Sequence, residues 1–152
     1  MLALQLEPTA VKTFMGRLLR EDMFDPFELR TADIHAGVLT TINGLKDPVN
    51  EEAPATFATW QSVRELAYHI IKTSPKPKYV KIVFSYQAMG LQQVHPNAAA
   101  LFLNLSYEND GVTFTTGTAQ KEFLFEKSLD QTWDSWVMDF FKANAIDVSN
   151  RE

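Results

Sequence analysis

The sequence predicts an α+β domain, with three amphipathic helices packed on a largely antiparallel sheet of six or seven strands. Two observations carry this reading. One apolar spacing occurs three times: at Val11, Phe14, Met15, Leu18 and Leu19; at Val63, Leu66, Ala67, Ile70 and Ile71; and at Trp133, Trp136, Val137, Phe140 and Phe141. Positions i, i+3, i+4, i+7 and i+8 fall on a single stripe of a helix. Between the stripes lie segments that alternate in period two, the strand signature. A one-sided helix must bury its stripe, and the predicted sheet is the surface available.

The elements follow in order. Leu2, Leu4 and Leu6 mark a short first strand, and Pro8 suits the first turn of the helix after it, where its missing N–H costs nothing. That helix ends near Arg20, before the acidic turn Glu21-Asp22 and Asp25-Pro26. Residues 27–42 read as two strands divided at Gly37, and Asn43-Gly44 closes the second. Residues 46–54, with two prolines and three acids, read as an exposed loop. Thr59 is the expected N-cap of the second helix, with Ser62 and Glu65 as a competing capping box. Residues 79–86 alternate as a strand, residues 87–95 form a short helical turn, and residues 99–107 and 112–118 pair through Asn109-Asp110-Gly111. A further strand is expected at 121–125, after a bulge near Gly117. Ser128 with Gln131 forms a capping box for the last helix, where Asp130 and Asp134 complement the dipole, and residues 148–152 read as a frayed tail.

Composition bounds the function. The chain of 152 residues suits one domain, and 45% hydrophobic content with 11 Phe, 4 Tyr and 3 Trp fills a core and argues against disorder. The absence of cysteine removes thiolate metal sites and thiol catalysis, and fits a reducing cytosol. A net charge of −5 disfavours non-specific binding to nucleic acid or anionic lipid. The first residues lack a basic region before their apolar run, so no secretory signal is read, and no apolar stretch nears the roughly 20 residues that span a bilayer. A cytoplasmic protein is expected, with no membrane contact.

The residues also resemble a known family. Lys12-Thr-Phe-Met-Gly-Arg-Leu-Leu19 with Met23-Phe-Asp-Pro-Phe27, Trp60 through Ile71, and Pro77 with Lys81-Ile-Val-Phe84 are similar to its opening helix, central helix and strand. More specific are Leu101-Phe-Leu-Asn with Tyr107, Thr115-Thr-Gly-Thr118 with Lys121 and Phe123, and Trp133-Asp134. Together they resemble a bacterial family of uncharacterised proteins, domain of unknown function family 5721. The lysine-bearing turn at 72–78 departs from the family's more strongly basic pattern. The resemblance implies a coherent fold and no activity.

Three function classes are weighed on the residues. Lys72, Lys76, Lys78 and Lys81, with Tyr79 among them, could converge on a phosphate or nucleic-acid backbone. In an acidic chain, a solvated turn whose lysines complement the helix C-terminus is the favoured explanation. Asp33 and His35 share a strand face and could serve a small hydrolase, although no imidazole follows a metal-ligand spacing. Thr113, Thr115, Thr116 and Thr118 suit strands and have no adjacent base. Trp133 and Trp136 belong to the core stripe, whereas Trp60, just before its stripe, is expected to be partly buried. If all three helices cover one side of the sheet, the reverse side includes Tyr79, Lys81, Val83, Phe102 and Leu124, a mixed apolar surface suited to contact. A helix crossing to that side would seal it. The preferred expectation is a non-enzymatic interaction module that self-associates, as a possible homodimer, or docks a protein partner. It would do so through the uncovered face, with Val83, Phe102 and Leu124 as interface, or through an edge strand. No cofactor or metal is implied.

Overall fold

The computed structural model describes residues 1–151. Among these, seven strands form one antiparallel sheet: β1 (Ala3–Leu6), β2 (Phe27–Ala36), β3 (Val38–Asn43), β4 (Tyr79–Tyr86), β5 (Ala98–Glu108), β6 (Gly111–Gln120) and β7 (Val148–Asn150). Their order in space is β3-β2-β4-β5-β6-β1-β7. Four α-helices accompany them: α1 (Val11–Arg20), α2 (Trp60–Thr73), α3 (Leu91–Val94) and α4 (Ser128–Ala143). Three carry the predicted stripes, and α3 is a single turn within the segment expected to be briefly helical.

Register fixes which side chains share a face. Leu29 pairs with Phe84, Phe84 with Leu103, Leu103 with Thr116, and Leu105 with Phe114. All of these are buried, and the three striped helices pack on them. Phe14 of α1 meets Phe114 edge-on at 5.5 Å, Trp60 of α2 meets Phe84 at 5.2 Å, and Phe141 of α4 lies 4.8 Å from Phe114. Aromatic pairs at these separations add to the burial of apolar area that holds the layers together. Phe24, on the turn after α1, fills the centre between Phe14, Phe84 and Phe140. No striped helix crosses the sheet, so its reverse face carries no helix, although Arg30 and Phe57 cover the part at Ser85 and Phe102.

Thr59 caps α2 as expected, its hydroxyl accepting from the Ser62 amide. The β5–β6 turn places Asn109 and Asp110 at positive φ, the geometry a two-residue hairpin needs. Residues 46–52 and 54 are exposed.

Several expectations are corrected. Trp60 is fully buried, because its indole N–H donates to the Leu18 carbonyl at 3.0 Å, a group left open by the end of α1. Residues 121–125 form a loop and not a strand, since β6 ends at Gln120. Gly117 pairs regularly with Phe102, and the irregularity of that hairpin lies between Ala98 and Ala100. Ser128 is the first residue of α4 and not its cap; its hydroxyl serves Glu126. Asp130 and Asp134 accept from the hydroxyls of Thr118 and Thr116, tying α4 to β6. Val148–Asn150, read as a frayed tail, pairs with β1 through Leu4, Gln5 and Leu6.

Candidate interaction surfaces

The uncovered face is built by register. Asp33, Lys81, Ser106, Thr113 and Gln5 form one row across β2, β4, β5, β6 and β1, and Thr31, Val83, Asn104, Thr115 and Ala3 form the next. A shallow trough of about 720 Å³ runs here, lined by Gln5, Lys81, Asn104, Thr113 and Arg151 among others. Hydroxyl and amide side chains of Gln5, Asn104, Ser106, Thr113 and Thr115 stud it, and Asn104 donates to Thr115 across the strands at 3.1 Å. Such a floor is well solvated and lacks the apolar core of a docking patch. Phe102 is withdrawn from contact. The Arg30 guanidinium lies over Phe57 at 3.8 Å and over Phe102 at 5.2 Å, with its Nε donating to Ser85 at 3.0 Å. Burial lowers the Arg30 pKa and raises that of neighbouring Glu28. Val83 is half-buried between these groups, and Leu124 lies off this face, on the loop after β6.

The lysines do not gather into one cluster. Lys81 is on the uncovered face, 5.0 Å over the Tyr79 ring, while Tyr79 stacks on His35 at 5.2 Å. Lys72, at the end of α2, approaches Tyr68 at 5.7 Å on the helix side. The Lys78 amide donates to the His35 carbonyl at 2.7 Å. Lys76 Nζ lies 2.5 Å from Asp110, which also accepts from the Tyr107 hydroxyl. Hydrogen bonding to Lys76 lowers the Asp110 pKa, the same bond raises that of Lys76, and burial foremost raises that of Tyr107. Beside this turn a cleft of about 420 Å³ opens between α1, α2 and the sheet, lined by Val11, Met15, Leu19, Ile71, Pro77 and Val80, with Lys12, Tyr107 and Asp110.

Among the described residues, Asp33 and His35 form no hydrogen bond to each other. Asp33 accepts from Thr41 at 2.7 Å, and His35 is stacked, with its buried Nδ1 unpartnered. His95 does reach Ser128, Nε2 to Oγ at 3.0 Å. Its Nδ1 accepts from the Asn97 amide, so the neutral ring carries its proton on Nε2. A ring in that tautomer donates to Ser128 and cannot take its proton. Among the described residues, no three metal-ligating side chains gather, and no helix is long and apolar enough to cross a membrane.

Two surfaces remain. β3 is an edge strand whose six residues, Val38-Leu39-Thr40-Thr41-Ile42-Asn43, include no charge and no proline. Val38 is 73% and Leu39 52% exposed. The Gly44 amide donates to the Arg30 carbonyl, in register with Thr31 facing Asn43. Hydrogen-bonded and open pairs alternate along an antiparallel ladder, so Leu39 and Thr41 turn their N–H and C=O groups outward.

The second surface is the loop 121–127. Asn97 brackets Glu122, accepting from its amide at 2.9 Å and donating to its carbonyl at 3.0 Å; Gln120 brackets Leu124 likewise, at 3.0 and 3.2 Å. The Lys121 amide donates to the Asn97 carbonyl, and the His95–Ser128–Glu126 chain ties the far end. Held this way, Phe123 and Phe125 stand 78% and 92% exposed, their rings 4.9 Å apart. Sequence reading missed both rings, and also Val38 and Leu39. The Phe-Leu-Phe alternation was the available signal, but it reads as a strand.

A model of a family of unknown function, DUF5721, matches residues 17–149. No curated protein and no solved structure matches the chain.

Proposed function

The chain belongs to DUF5721, a family of unknown function, and we propose that it is a non-enzymatic interaction module that self-associates through the open edge of β3. The observation that carries this reading is a neutral, β-branched edge strand with exposed Val38 and Leu39. Soluble proteins usually blunt such edges with lysine, proline or a bulge, because a row of unpaired amides recruits another strand. β3 has none of these protections. An isologous contact pairs β3 with itself antiparallel, and the absence of charge in the strand keeps like charges from facing each other. That matters for a chain of net charge −5. The polar uncovered face supports the edge over the face as the contact.

Multi-angle light scattering tests it, with folding checked by circular dichroism. In dilute solution wild type is expected at twice the chain mass, and Leu39→Lys and Thr41→Pro at the monomer mass. Lysine sets like charges across the contact, and proline deletes an outward donor while leaving the β2 ladder intact. A wild-type monomer at high concentration, or a dimer unaffected by both substitutions, refutes the proposal.

A further inference from the structure

We infer that the cleft between α1 and α2 receives an acidic-aromatic segment, and that its occupant is the loop 122–126 of a second copy of this chain. The inference uses surfaces separate from β3 and does not depend on that contact.

The loop has the form of a ligand. Glu122-Phe123-Leu124-Phe125-Glu126 offers two exposed rings between two exposed acids, with Lys121 and Lys127 one residue further out. Large apolar side chains are normally withdrawn from water, and here side-chain amides hold Glu122 and Leu124 with the flanking rings outward. The clamps settle the ordering entropy in advance, as a preorganised binding segment requires.

The cleft has the form of its receptor. Its walls are apolar, from Val11, Met15, Leu19, Ile71, Pro77 and Val80. Lys12 lines it beside Asp110, and Lys72, Lys76 and Lys78 are the sequence neighbours of the lining residues Ile71 and Pro77. Lys76 is neutralised by Asp110, whereas Lys12, Lys72 and Lys78 form no salt bridge among the described residues. Glu122 and Glu126 likewise form none, so acids meet cations around a shared apolar centre. This gives the lysine turn a role that the free-anion reading did not.

Intramolecular closure is ruled out by distance. Tyr107 and Asp110 line the cleft at the β5–β6 turn, while the loop leaves the far end of β6, ten residues away. At about 3.4 Å per residue, some 34 Å separates the two. A knob and a socket at opposite ends of one hairpin cannot meet within one chain and instead join one copy to the next.

Sedimentation velocity tests this in a Leu39→Lys background, which removes the β3 contact. The background chain, a monomer when dilute, is expected to associate as concentration rises, and less tightly as salt rises. Phe123→Ser/Phe125→Ser removes the knob, and Met15→Glu spoils the socket. Should Met15→Glu unfold, the surface pair Lys12→Glu/Lys78→Glu replaces it. Each variant alone is expected to lose association by about tenfold or more, as removal of paired aromatic anchors does. Mixing a knob-less with a socket-less chain restores one contact and yields a 1:1 heterodimer that grows no further. A background chain that stays monomeric, a Phe123→Ser/Phe125→Ser chain that associates as tightly as the background, or a mixture no better than its components would overturn the inference.

Discussion

Replacing Trp60 with phenylalanine isolates the bond that ties α2 to α1 and so shapes the cleft between them. Trp60 is fully buried, stands edge-on to Phe84 at 5.2 Å, and donates its indole N–H to the Leu18 carbonyl at 3.0 Å. Leu18 lies in the last turn of α1, where carbonyls have no intrahelical donor; its neighbour Arg17 is served by the Glu21 amide. Phenylalanine keeps a ring against Phe84 and deletes the donor. An orphaned buried acceptor costs about 1–3 kcal/mol, and the lost ring atoms leave a void worth about 1 kcal/mol more. The sum is about 2–4 kcal/mol, which lowers Tm by about 4–16 °C for a chain of this size. Scanning calorimetry reads this directly. Trp136→Phe is the control, because its half-buried indole N–H makes no hydrogen bond among the described residues. A Trp60→Phe loss no larger than that of Trp136→Phe would refute the assignment of this bond.

Other outcomes follow from the same coordinates. A Cβ at Gly44 would stand 1.8 Å from the Leu29 carbonyl oxygen, so Gly44→Ala is expected to destabilise by about 4 kcal/mol or more, visible as lost soluble protein or a collapsed urea midpoint. Burial raises the Glu28 pKa in the folded state, so the fold binds that proton more readily than the unfolded chain. The Glu28 contribution is therefore present at acidic pH and lost as pH rises through the raised value. Glu28→Gln should gain stability over wild type at about pH 7 and little at about pH 4 in urea titrations, and an equal gain at both contradicts the sign. Asn97→Ala deletes both bonds to Glu122 and should speed exchange of the Glu122 amide by about tenfold while Tm moves little, whereas unchanged exchange would show that the loop is held by something else.

Much of the architecture is legible in the residues because its causes are local. The three stripes locate α1, α2 and α4, Thr59 marks an entry, and Asn109-Asp110 marks a turn that demands positive φ. What escapes a sequence reading depends on partners distant in the chain. Phe123 and Phe125 alternate as a strand would, yet the backbone of Glu122 and Leu124 beside them bonds to side chains of Asn97 and Gln120 instead of to a neighbouring strand. Trp60 precedes its stripe but is buried by a carbonyl 42 positions earlier. Val148–Asn150 is too short to signal a strand and is ordered only by β1. The reverse face is free of helices, but its Thr, Ser and Asn rows are polar, Phe102 lies under Arg30, and Tyr79 stacks on His35. The apolar groups left for contact moved to β3 and to the loop after β6.

Amide hydrogen exchange along β3 bears most directly on self-pairing at the sheet edge. Leu39 and Thr41 point their N–H groups away from β2, so only a second strand can protect them. In concentrated solution both amides should exchange slowly, and dilution should release them together with the loss of dimer mass. Fast exchange of both at every concentration would contradict the account.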